Sequence, residues 1–145
     1  RNAVVFPRAR VEGAPYDFSF SGLKSAVLNH INHAHMMGEE INVPDLMASF
    51  QYAVVDVLTS HAVEAAKNLG YDKVAIAGGV ASNSALRAEM KEACEKAGLK
   101  FYYPSPIFCT DNAAMIGVAG YYEYINGTRS GLDLNAVPNL KLGER

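Results

Sequence analysis

Disulfides, membrane spans and bulk positive charge are all missing from this chain. Cys94 and Cys109 are its only two cysteines. No disulfide framework is therefore encoded, and a reducing, cytoplasmic compartment is expected. No apolar run reaches the roughly 18 residues of a membrane span. Net charge is −2, so no bulk polycation is on offer to a nucleic acid, although a local basic patch is compatible with it. The N-terminal Arg1-Asn-Ala-Val-Val has neither a signal peptide's apolar core nor an initiating Met. The chain is expected to be a piece cut from something longer. There are no internal repeats and no low-complexity tract. No His-Glu-x-x-His helix and no nucleophile paired with a base are present, so nothing supports a peptidase.

What remains is ample for one ordinary domain: 145 residues, 50% of them apolar. The first fifteen are irregular, broken by Pro7, Gly13 and Pro15. Arg1, Arg8 and Arg10 make them basic, either as a solvated lead-in or as phosphate contacts for an RNA. Aromatic and polar residues alternate over 16–20, a short strand signal. A helix is predicted over about 22–36, capped by Ser19 or Ser21. Lys24 falls in its first turn, where a cation opposes the dipole. It is either simply exposed or faces an anion. His30, His33 and His35 follow, but nothing nearby completes a metal site, and a solvated helix end is the better reading.

The longest helix is predicted over about 44–69, after Asn42 and Pro44 and before Gly70. Leu46, Phe50, Val54, Val57, Leu58, Ala62, Ala65 and Leu69 form its apolar stripe. His61 lies on that stripe and reads as a packed, hydrogen-bonded core residue. A strand over about 73–77 then meets Gly78 and Gly79, and a helix over about 83–97 follows. Cys94 joins that helix's apolar side as a small core residue. A second strand, about 99–103, should pair parallel with the first through a right-handed crossover. The last helix is predicted over about 111–125. Within it, Ala113, Gly117 and Gly120 would let another backbone come close. Residues 1–127 are assigned to one lobe and 128–145 to a loose tail.

Both strand–loop–helix units put their loops on the carboxyl edge of the sheet, where ligands of open α/β folds bind. One loop carries Gly78, Gly79 and Asn83, and the other carries Thr110, Asp111 and Asn112. The two are expected to face each other across one crevice. The glycine pair is either a tight packing turn or a ligand contact, because no Cβ blocks a ligand's approach to the backbone. Asn83 and Asp111 are each either helix caps or ligand contacts.

Three segments together carry a resemblance. They are Phe18-Ser-Phe-Ser-Gly-Leu-Lys24, Ala77-Gly-Gly-Val-Ala-Ser-Asn83 and Cys109-Thr-Asp-Asn-Ala-Ala-Met-Ile116. In order and spacing they resemble the catalytic subunit family of the tRNA threonylcarbamoyladenosine synthases, formerly labelled sialoglycoprotein endopeptidases. The resemblance implies an α/β fold, part of a ribonuclease-H-like lobe of the sugar kinase, heat-shock chaperone and actin superfamily. It also implies a reaction. Threonylcarbamoyl-adenylate gives its threonylcarbamoyl group to N6 of adenosine 37 in tRNAs reading codons that begin with A, and AMP leaves. By the same resemblance, Gly78, Gly79 and Asn83 hold the adenosine part, and Asp111 is a ligand to iron or zinc that acts as a Lewis acid. Ser21 and Lys24 match a motif near the cleft. A related scaffold subunit is the implied partner.

Two family features are absent: the upstream His-x-x-x-His metal pair and the upstream glycine-rich phosphate loop. The chain therefore resembles the C-terminal part of a protein about twice its length. One carboxylate is too few ligands for a catalytic metal. The fragment alone is expected to bind metal weakly, to be inactive, and to self-associate or pair with a missing segment through uncovered apolar surface. The alternative is a non-catalytic scaffold paralogue. The intact glycine turn and Asp111 favour the enzyme. A phosphotransferase would fit the glycine turn but not the other two motifs.

Overall fold

Val43–Asn68 is a 26-residue helix, and the first unit, Arg1–Thr110, is arranged around it. The structure is a computed structural model and describes residues 3–8 and 11–141. The elements are α1 (Ser21–Met37), α2 (Val43–Asn68), β1 (Lys73–Ala75), α3 (Ser84–Ala97), β2 (Lys100–Tyr102) and α4 (Ala113–Ile125). Among the described residues this is the mixed α/β arrangement expected, with four α-helices and one short parallel sheet.

Local chemistry fixes the ends of α2. The Asn42 side-chain oxygen accepts a hydrogen bond from the backbone N–H of Asp45 at 3.2 Å. That satisfies one of the donors a helix start leaves open. Gly70 follows the C-cap with φ +75°, the left-handed conformation that stops a helix. The predicted single stripe is too narrow, however. Ala53, Val55 and Ala66 are buried as well, while Leu69 is exposed. The reason is that α2 has neighbours on more than one side. On one side, Leu46 and Ala53 pack with Phe6 and Leu23 of the N-terminal segment and α1. On another, Val55 and Ala66 join Val74, Leu86, Met90 and Cys94.

Buried Ser49 ties the N-terminal segment to α2. Its hydroxyl accepts from the N–H of Val4 at 3.1 Å and donates to the carbonyl of Asp45 at 2.7 Å. Arg8 is neither a solvated cation nor a spare phosphate contact. Its Nε donates to Asp56 Oδ2 at 2.9 Å, and its guanidinium lies 5.1 Å from the centre of the Tyr52 ring. Arg1 and Arg10 lie outside the described residues.

β1 and β2 pair in parallel, with Val74 opposite Phe101. The predicted strand over 16–20 does not form. Alternation alone makes no strand; a ladder partner is needed, and the described residues supply none there. Instead Phe18 and Phe20 pack on each other at 5.3 Å. Residue 20 is then the N-cap of α1 and makes no side-chain cap. Ser19 does part of that work by accepting from the N–H of Ser21 at 3.3 Å.

The second unit, Asp111–Arg145, contains α4. Asn112, not Asp111, caps this helix, accepting from the N–H of Met115 at 2.9 Å. No residue of α4 is buried. Open space surrounds Gly117 and Gly120 among the described residues, so no backbone uses the gap they leave. Residues 128–141 form neither helix nor strand.

Candidate functional site

The chain leaves β1 and enters a left-handed position at Gly78, with φ +82° and ψ 174°. Only glycine adopts that conformation without strain. Gly79–Ser82 then makes one turn of 3-10 helix before α3 begins. The helix predicted from about 83 begins at Ser84, and the residues between it and the glycine turn form this 3-10 turn. The N–H of Ala81 donates to the carbonyl of Gly78 at 3.0 Å, closing it. Gly79 remains exposed.

Asn83 does two jobs at once. Its side-chain oxygen caps α3 by accepting from the N–H of Leu86 at 2.9 Å. Its side-chain nitrogen donates to Gln51 Oε1 of α2 at 3.2 Å. One amide hydrogen of Asn83 is left over, since an amide nitrogen carries two. The capping and binding roles considered for Asn83 are thus compatible.

Beside this corner lies a cavity of about 390 Å³. Met47, Phe50, Val54, Leu58 and Val80 form apolar walls, and Gln51 and Asn83 give it a polar edge. Apolar walls with few, fixed polar groups are the usual make-up of a small-molecule site. A flat heteroaromatic group with a hydrogen-bonding rim matches that chemistry.

A second cavity of about 410 Å³ is lined by Phe18, His61, Ala75, Ile76 and Ala77, among others. His61 is only 3% exposed and stacks on Phe18, with ring centres 5.7 Å apart and planes 7° from parallel. It is the packed core residue expected, but it is not hydrogen-bonded: neither ring nitrogen has a partner among the described residues.

Cys109 closes the other loop of the first unit. It is buried, and its Sγ lies 3.2 Å from Nη2 of Arg87. Cys94 is fully buried in α3, and burial raises its thiol above the usual range. The two thiols therefore behave as core groups. Asp111, in the second unit, is exposed. Ser21 and Lys24 are exposed at the start of α1. The Ser21 hydroxyl is within 3.3 Å of that of Ser19.

Among the described residues, no three His, Cys, Asp or Glu side chains come together as a metal site. His33 and His35 are exposed, and His30 meets the edge of Phe6. His33 and His35 thus sit at a solvated helix end, whereas His30 packs against the N-terminal segment. The donors among the described residues therefore do not fit a metal held by them alone.

Two residues with a bearing on the site escaped the sequence patterns. Gln51 reaches Asn83 across 32 positions, and no local pattern marks such a pair. Arg87 did carry a signal. It is a cation in the first turn of α3, the end of the dipole that disfavours it.

Comparison with known proteins agrees with these motifs. The family model TsaD, described as tRNA N6-adenosine threonylcarbamoyltransferase, matches residues 1–118. A protein of that name from Clostridium botulinum is 57% identical over 143 residues, covering 99% of this chain. Another from Clostridium perfringens is 57% identical over 144 residues. The chain spans 42% of the length of each. With the family model covering most of its length, this chain belongs to the TsaD family, within the ribonuclease-H-like superfamily.

Proposed function

We propose that this chain is the C-terminal part of a transferase acting on tRNA. The enzyme moves the threonylcarbamoyl group from threonylcarbamoyl-adenylate to N6 of adenosine 37 in tRNAs reading codons that begin with A. The observation that carries the reading is the apolar cavity with its Asn83–Gln51 edge, beside the turn at Gly78. It has the size and chemistry for an adenosine moiety. On this reading Gly78 and Gly79 let the nucleoside approach the backbone, and Asn83 offers it the remaining amide hydrogen. Ser21 and Lys24 stand near the cleft without an assigned step.

Asp111 would supply one ligand to a divalent ion, iron or zinc, whose other ligands lie outside this chain. Such an ion supplies Lewis-acid chemistry when bound. The partners are the adenylate, tRNA and a related scaffold subunit, and the setting is cytoplasmic. No helix of the described residues is long and apolar enough to cross a membrane. A non-catalytic scaffold would have no use for a preformed nucleoside cavity, and this favours the enzyme.

Two substitutions in the complete enzyme test the reading. Asn83→Ala should lower kcat/KM for the adenylate by about tenfold or more, the cost of one buried hydrogen bond. Asp111→Ala should strip the metal, read by elemental analysis of the purified protein. Unchanged metal content would remove Asp111 from the ligand set. The isolated 145-residue chain should show no transfer.

A further inference from the structure

Arg87 connects the two loops that bear the motifs of the first unit. Its Nε donates to the carbonyl of Ala81, inside the 3-10 turn Gly79–Ser82. Its Nη2 donates to the carbonyl of Pro104 at 3.0 Å and lies 3.2 Å from Cys109 Sγ. The guanidinium also sits 4.7 Å from the centre of the Tyr103 ring. One planar group thus spans from the turn after β1 to the loop after β2. Those loops also approach each other nearby: a Cβ placed on Gly79 would lie 4.0 Å from Thr110 Cγ2.

The arrangement has a cost that needs a reason. A cation near a helix N-terminus opposes the dipole. Arg87 is also half-buried, so its stem and head give up water. A lysine would avoid neither penalty and could not replace the bridge. Its ammonium is a compact point of charge, whereas the guanidinium donates along fixed, diverging directions and stacks on a ring.

We propose that Arg87 is a positioning residue for the nucleoside site: it fixes the 3-10 turn, and with it Gly78, Gly79 and Asn83, against the loop that runs from Pro104 to Cys109. The inference rests on the adenosine reading given above. Ala81 is the anchor point, one residue beyond Val80, which lines the cavity. Without the bridge, the turn keeps its internal hydrogen bonds but loses its fixed distance from the second loop. A binding site displaced by a fraction of an ångström binds less well while the fold persists.

The test uses the complete enzyme, with AMP affinity read by calorimetry and adenylate turnover read as separate KM and kcat. Arg87→Lys should raise both the AMP Kd and the adenylate KM by about tenfold, a misplacement effect. Its kcat should stay near that of the parent. Added guanidinium ion should restore AMP binding to Arg87→Ala, since a free guanidinium can reoccupy the bridge. An Arg87→Lys enzyme that binds AMP like the parent would overturn the proposal, as would an Arg87→Ala defect that guanidinium leaves untouched. If Arg87→Ala does not fold, the lysine variant decides alone. Asn83→Ala separates the two levels. Parent-like AMP affinity in that variant overturns the site reading itself. Weakened binding there, beside a parent-like Arg87→Lys, overturns only the positioning role.

Discussion

Gly78 is the residue whose backbone leaves no choice of side chain. Its φ of +82° and ψ of 174° lie in a region that is glycine's almost alone. No neighbouring atom stands within 4 Å of the place a Cβ would take, so the objection to a side chain is conformational and not steric. Gly78→Ala is therefore expected to destabilise the fold by about 1–3 kcal/mol through strain. The check is a urea midpoint compared with Gly79→Ala, whose added methyl meets only an ordinary contact at 4.0 Å. Equal midpoints for the two variants would contradict the assignment of strain to Gly78. Asn83, five residues on, ties two elements through one amide. Its oxygen caps α3, and its nitrogen donates to Gln51 of α2.

At the level of elements, caps set the helix boundaries. α2, α3 and α4 each begin at an asparagine whose side chain accepts from a backbone N–H three residues ahead. In α2 the capping residue, Asn42, has no part in the candidate site, so its cost can be measured cleanly. Asn42→Ala is expected to lower stability by about 1 kcal/mol, read as a shift of the urea midpoint without a change in slope. A change in slope would point to a wider loss of structure than a cap. The sequence offers Asp111 as a cap, and the structure gives that role to Asn112. Asp111 is then exposed and carries no capping duty. The strand predicted over 16–20 fails for an element-scale reason. A helix satisfies its own backbone, whereas a strand depends on a neighbour that the described residues do not provide.

For the whole molecule, the uneven distribution of burial is the main fact. The first unit has two apolar clusters on different sides of α2. Among the described residues the second has none: Met115, Ile116, Val118, Tyr121, Tyr122, Tyr124 and Ile125 of α4 are each more than half exposed. A helix apolar all round is normally buried. A patch of this kind on a soluble chain marks a contact surface or an aggregation hazard. The isolated chain should therefore self-associate, and light scattering should report species larger than one copy. A clean monomer at all concentrations would argue against it. The chain spans only 42% of its relatives' length, which leaves ample polypeptide in those proteins to cover such a face.

The helix boundaries, to within a residue or two, could be read from the chain. They depend on groups within a turn of one another: an asparagine and an N–H three residues away, or a glycine at the end of a helix. The parallel pairing could be read for a different reason, the strand–helix–strand order with its right-handed crossover. The family could be read as well, because its three motifs are contiguous strings. The placements that make a site were decided only in three dimensions. Gln51 meets Asn83 across 32 positions, and Arg87 meets Pro104 across 17 and Cys109 across 22. Side chains that far apart are brought together by the packing of α2, α3 and the sheet, and no local preference encodes that packing.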